Sequence, residues 1–222
     1  MDRHRWFSVG LSIPFNQLLK KLKKFEFKEG QDFGFISRES DKLDRFRFRY
    51  LRRTIVKLPI LGASGDMEYQ GIETIVDLNF EFFEKNEHVW LKIDEPPRSI
   101  RDFLNALEDV AGFGFFAEPV LFSLKKQKTA LKTFDSVRLI GFRGLGNSIQ
   151  DKFIARVDVA SKDGLEPDRL DLLSGLDFRM DQTTYEVSYR MLKGQITFAA
   201  SGLVRTTGAI SPYIIESLER TL

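Results

Sequence analysis

Asp44-Arg-Phe-Arg-Phe-Arg-Tyr-Leu-Arg-Arg-Thr-Ile-Val-Lys-Leu58 is the stretch from which the fold is read. Arg45, Arg47 and Arg49 alternate with Phe46, Phe48 and Tyr50. A period of two sets the guanidinium groups on one face of a strand and the rings on the other. The rings are free to bury, and the arginines must face water, acid or a ligand. The spacing predicts a strand that stops near Pro59.

The composition around this strand suits a folded core. The chain has 222 residues, 42% of them hydrophobic, enough for one large domain or two small ones. It uses 21 phenylalanines against 5 tyrosines and 2 tryptophans, so most rings are read as core, where Phe leaves no polar atom to satisfy. The absence of cysteine excludes disulfides, thiolate metal sites and cysteine nucleophiles, and it permits a reducing setting. The opening Met1-Asp-Arg-His-Arg-Trp6 lacks the apolar run of a signal peptide, and no stretch approaches a membrane span. A soluble, cytoplasmic protein with no membrane partner is expected.

The net charge of +2 conceals a segregation. Residues 1–58 carry fifteen Lys/Arg against seven Asp/Glu, residues 59–112 four against twelve, and residues 113–222 fifteen against thirteen. Either the basic and acidic segments neutralise each other across a sheet, or the basic face meets an acidic partner.

Taken in order, Trp6 to Ile13 reads as a short strand. A helix over 15–24 follows, with Leu18, Leu19 and Leu22 on one face and Lys20, Lys21, Lys23 and Lys24 on the other. Phe25 to Ile36 alternates loosely around Glu29-Gly30. Beyond the Gly62–Gly65 loop, Met67 to Phe83 sets Val76, Leu78, Phe80 and Phe82 against Asp77, Asn79 and Glu81. A turn over 84–87 leads to a return strand, His88 to Ile93. Ser99 is placed to cap a helix running to Val110.

The order then starts again. A strand over 114–122, a helix over 124–132 and a strand over 137–142 precede a glycine-rich loop, Gly144 to Asn147. Lys152 to Val159 alternates, a helix is inserted near 166–174, and Thr184–Leu192 pairs with Gln195–Val204 about Lys193-Gly194. Ser211-Pro212 opens a last helix. Each half thus reads strand, helix, four strands, helix. This predicts an α+β protein of two related β-α-β4-α-like units, 1–112 and 113–222, forming antiparallel sheets with helices on one face. Such an order is similar to that of the TATA-box-binding protein fold, a curved saddle of two repeats. That resemblance spans the whole chain in topology and rests on no matching motif. It implies a saddle-like pseudo-dimer with a concave binding face, open to nucleic acid or to another protein.

The chemistry points to binding and away from catalysis. Arg45, Arg47, Arg49, Arg52, Arg53 and Lys57, with Lys20 and Lys24, are the candidates for phosphate contacts. The plainer reading pairs the arginine row with Asp77 and Glu81 on the next strand. Trp90 and Lys92 share one side of the return strand and are the candidates for anchoring a partner. His4 is expected in a mobile terminus and His88 at a hairpin, a poor basis for a metal cluster. Gly141-Phe-Arg-Gly144-Leu-Gly146 follows a strand but fits neither a dinucleotide fingerprint nor a P-loop, and is read as a turn requiring positive φ. Asp94-Glu95 and Asp66 with Glu68 are the carboxylates nearest to a metal-site pattern. No catalytic residue, metal or cofactor is assigned. The first expectation is a non-catalytic accessory subunit of a larger complex whose basic first half contacts DNA or RNA. The second is a protein–protein adaptor with no nucleic-acid role, and the third is a metal-dependent hydrolase of unfamiliar type.

Overall fold

A computed structural model describes residues 1–40, 44–61, 65–148, 154–166 and 176–222. The chain is α+β, with four helices and predominantly antiparallel strands among the described residues. It divides into two compact units, Phe7–Glu118, and Met1–Trp6 with Pro119–Leu222. The boundary therefore falls later than Gly112. The opening strand β1 (Asp2–Gly10) gives its first residues to one unit and its last to the other.

In the unit 7–118, β1 is followed by α1 (Phe15–Lys24), β2 (Phe33–Arg38), β3 (Arg45–Leu61), β4 (Met67–Lys85), β5 (His88–Asp94) and α2 (Arg101–Ala111). Strands β2 to β5 form an antiparallel meander in chain order. The alternation in β3 does what its spacing predicts. Phe48 and Tyr50 are buried at 1% and 2%, opposite Phe80 and Leu78 of β4. Leu18, Leu19 and Leu22 of α1 and Phe103, Ala106 and Leu107 of α2 pack with these side chains in one core. Phe48 stacks on Phe80 at 5.6 Å, and Phe103 lies 4.8 Å from the Phe80 ring. Between β4 and β5, Asn86 and Glu87 take φ of 53° and 63°, the left-handed pair of a two-residue turn whose twist suits a hairpin.

Three expectations change here. The first strand begins at Asp2, well before Trp6, because residues 2–5 pair with a later strand, and His4 is consequently 7% exposed instead of lying in a mobile terminus. Helix α2 starts after Ile100 without a side-chain cap, so Ser99 lies outside it. Strand β3 continues through Pro59 to Leu61.

The other unit contains α3 (Leu124–Leu131), β7 (Ser136–Ser148), β8 (Ile154–Ala160), β9 (Leu176–Tyr189), β10 (Leu192–Ala199), β11 (Leu203–Thr207) and α4 (Ser211–Arg220), with β6 (Phe116–Pro119) at its border. Its strand order is β8-β7-β9-β10-β11, and residues 2–5 of β1 pair beyond β11. Trp6, Val187, Ile196, Val204, Ile214 and Leu218 fill its core. The Trp6 indole N–H donates to Glu219 at 3.2 Å. Buried Gln127 donates to the Phe122 carbonyl at 2.8 Å and accepts from the Thr183 and Tyr185 hydroxyls at 2.9 and 3.1 Å.

Sequence expectation and structure part at several points in this unit. Gly144 and Gly146 belong to β7, not to a loop, and neither has positive φ. Gly144 sits at a register shift where a Cβ would stand 2.3 Å from the Arg179 carbonyl oxygen, so close approach explains the glycine. The β9–β10 turn is at Arg190-Met191, with φ of 48° and 68°, instead of at Lys193-Gly194. The expected last strand is two strands, broken before Leu203. Ser211 starts α4 without capping it by a side-chain bond to the helix amides, although Pro212 occupies its first turn. The inserted helix read over 166–174 falls, but for Glu166, outside the described residues, as does most of the Gly62–Gly65 loop.

Candidate binding surfaces

Opposite the aromatic face of β3, the arginine row meets acid. The β3–β4 register sets Arg47 against Glu81 and Arg49 against Asn79, with Asp77 two pairs further on, opposite Leu51. Arg45 reaches Glu81 at 2.5 Å and Arg47 reaches the other oxygen of the same carboxylate at 3.3 Å. Arg49 clasps Asp77 with both Nε and a terminal nitrogen, the Nε bond measuring 2.9 Å. Arg52 pairs with Asp102 of α2 at 2.6 Å, and Arg53 with Glu73 at 2.6 Å. Every arginine of the row therefore has a carboxylate within this unit.

Glu81 is the centre of that network. It is 2% exposed, and Lys92 approaches it from β5 at 3.3 Å while also reaching Asp94. Burial works to raise the Glu81 pKa, but the charges of Lys92 and Arg45 and the Arg45 hydrogen bond outweigh it, and the carboxyl lies below its ordinary value. Asp77 is likewise lowered, chiefly by its hydrogen bond from Arg49.

The other sequence candidates are placed differently. Lys20 and Lys24 are exposed on α1 beside Lys23, while Lys21 donates to the Ala111 carbonyl at 3.2 Å. Lys57 is exposed on β3, opposite Gly71. Trp90 and Lys92 are each 8% exposed, Trp90 standing opposite Phe83 with its indole N–H 3.4 Å from the Lys85 carbonyl. Their side of the strand is closed over, and they offer no open ring or cation. A shallow depression of about 220 Å³ is lined by Lys23, Arg38, Arg45, Phe46, Arg47 and Phe48. Among the described residues, no three His, Asp or Glu side chains gather in a way that could hold a metal ion. Among them too, no helix is long and apolar enough to cross a membrane.

One extended apolar surface is not anticipated by the sequence reading. Strand β2 pairs with β3 only up to Arg52, and β5 pairs with β4 only from Asn79. Between those limits, among the described residues, β3 and β4 continue as a two-stranded arm, register-paired from Arg53–Ile75 to Leu61–Met67. Ile55, Leu61, Met67 and Tyr69 are exposed at 70%, 74%, 62% and 70% on one face. Val56, Leu58, Ile60 and Ile72 are also exposed, on the other. The signal was present: Ile55-Val56 and Ile60-Leu61 put apolar side chains on both faces of one strand, which a sheet with a single core face cannot bury.

No protein-family model matches this chain, and no curated protein matches it.

Proposed function

We propose that this chain is a non-catalytic binding subunit that docks a larger protein through the β3–β4 arm. The observation that carries the reading is the arm's exposed apolar surface on both faces. A two-stranded ribbon is marginal in water by itself, and contiguous exposed apolar area of this kind marks an interaction site. The pairing of Arg45, Arg47, Arg49, Arg52 and Arg53 with carboxylates of the same unit also supports an adaptor, since those charges are already engaged. The common run of strand, helix, antiparallel strands and helix supports the further reading that the two units are related by duplication, although the edge place held by β2 in one unit is held by β8 in the other.

The test replaces Ile55, Leu61, Met67 and Tyr69 together by serine. Proteins that co-purify with the unaltered chain from its native host are identified, remade and titrated against both forms. Binding that survives the four substitutions undiminished would sink the proposal.

Lys23 and Arg38, lining that depression beside the Glu81-paired Arg45 and Arg47, favour a second reading, contact with nucleic acid. Anisotropy titrations with single-stranded and duplex DNA and RNA decide it. Contact with several phosphates weakens steeply as salt rises, and absence of binding at low salt removes the reading.

A further inference from the structure

The two long edges of the arm are not equivalent. Lys85 and His88 flank a two-residue turn, so they exchange both backbone hydrogen bonds. Alternation then turns the odd-numbered amides of β4 toward the β5 side, and the odd-numbered amides of β3 toward the β2 side. The Arg53 amide obeys this count, donating to the Asp32 carbonyl at 2.7 Å. Pro59 is odd-numbered, so its missing N–H lies on the outer edge of β3, where the hairpin ladder does not need it. Lys57 occupies the same edge. Proline and lysine are the usual guards of an open strand edge.

The outer edge of β4 has no such guard. From Met67 to Asp77, every second residue (67, 69, 71, 73, 75 and 77) turns its N–H and C=O outward, and no strand pairs with them among the described residues. From 66 to 84 the segment contains no lysine or arginine, and of its acids Glu73 and Asp77 are met by Arg53 and Arg49 of β3, so Asp66 and Glu68 set the charge at the open end of this edge.

We propose that the outer edge of β4, Met67 to Asp77, takes one added strand from a partner protein, a strand in which apolar residues alternate with lysine or arginine. Backbone hydrogen bonds supply the pairing, and the alternating side chains supply the choice of partner. The apolar side chains of the added strand lie on the face of Met67, Tyr69 and Ile75, and its basic side chains fall on the opposite face, beside Glu68. A second copy of this chain fits poorly. Its β4 would set carboxylates against carboxylates, and its β3 edge lacks an amide at Pro59. The inference rests on the arm being the docking element, and it adds which edge is used and by what chemistry.

The probe is a decapeptide alternating valine with lysine, compared with its valine–glutamate twin and with a copy N-methylated on alternate residues. The lysine peptide should bind the full chain at least about tenfold more tightly than either. Hydrogen exchange should slow at the odd-numbered amides of 67–77 and stay unchanged at 55–61. Gly71→Pro removes one outward N–H and no side chain, and it should weaken the lysine peptide about tenfold. Gly71→Ala keeps the N–H and adds the same Cβ, 3.1 Å from Ile55 Cγ2, and should bind as the unaltered chain does. Equal binding of the lysine and glutamate peptides, protection at 55–61, or self-association protecting 67–77 would each overturn the inference. If the four serine substitutions abolish binding of the natural partner and Gly71→Pro leaves it intact, the arm reading stands and the edge reading falls.

Discussion

Glu81 of β4 stands directly opposite Lys92 of β5, and the two buried charges meet at 3.3 Å with Arg45 closing the group from β3. A buried ion pair adds little over a well-packed apolar pair, but breaking one by removing a single partner is costly. Glu81→Gln leaves Lys92 and Arg45 without the opposing charge. It is expected to destabilise the chain by about 3 kcal/mol, the low end of the range of roughly 3–5 kcal/mol for such breaks. Urea unfolding measures the change as a lower midpoint at unaltered slope.

The same carboxyl gives the protein an acid-side weakness. The folded pKa of Glu81 is depressed, so its contribution is fully present above the unfolded value of about 4.3 and disappears as pH falls through the folded one. Asp77 acts in the same direction, discounted because its side chain is 40% exposed. Thermal midpoints should therefore decline below about pH 4.3. In Glu81→Gln the decline should be shallower, and an identical profile for the two proteins would contradict the assignment.

Arg49 and Arg45 separate a surface pair from a buried one. The Arg49 and Asp77 side chains are 29% and 40% exposed, while Arg45 and Glu81 are 12% and 3% exposed. Arg49→Ala should cost less than about 1 kcal/mol and should respond to salt. Arg45→Ala should cost more and respond less, because it also uncovers the Phe83 ring 4.3 Å below its guanidinium.

Gln127 holds three groups of the other unit at once. Gln127→Leu preserves the volume and orphans the Phe122 carbonyl and the hydroxyls of Thr183 and Tyr185. A buried polar group left without a partner costs about 1–3 kcal/mol, so a loss of at least about 2 kcal/mol is expected by denaturant unfolding. A neutral substitution would show that water takes over the role of the amide.

Local periodicity made the core of the first sheet readable. Phe48, Tyr50, Leu78 and Phe80 are buried where alternation put them, and the acids opposite the arginine row were named from the same rule. Long-range pairing was not readable. His4 is buried because β11 lies beside it, and residues 2–5 alone carry no sign of a strand 200 positions away. Gly144 looked like a turn because glycine between strands so often is one, and its actual constraint, the Arg179 carbonyl, comes from another strand. Trp90 is a candidate anchor in the sequence, and its burial is not legible there because the sequence does not show what closes over the second face of a sheet. The arm was missed for a related reason. Where β3 outruns β2, and β4 outruns β5, depends on the lengths of four strands together.

One consequence follows for anyone who would isolate half of this polypeptide. Strand β1 serves both units, residues 2–6 on one side of the division and 7–10 on the other. A fragment beginning near Pro119 would leave β11 with a bare flank, and one ending there would carry Asp2 to Arg5 with nothing to zip against. Neither piece is a clean module, and dissection by a single scissile point should yield sticky, poorly cooperative products.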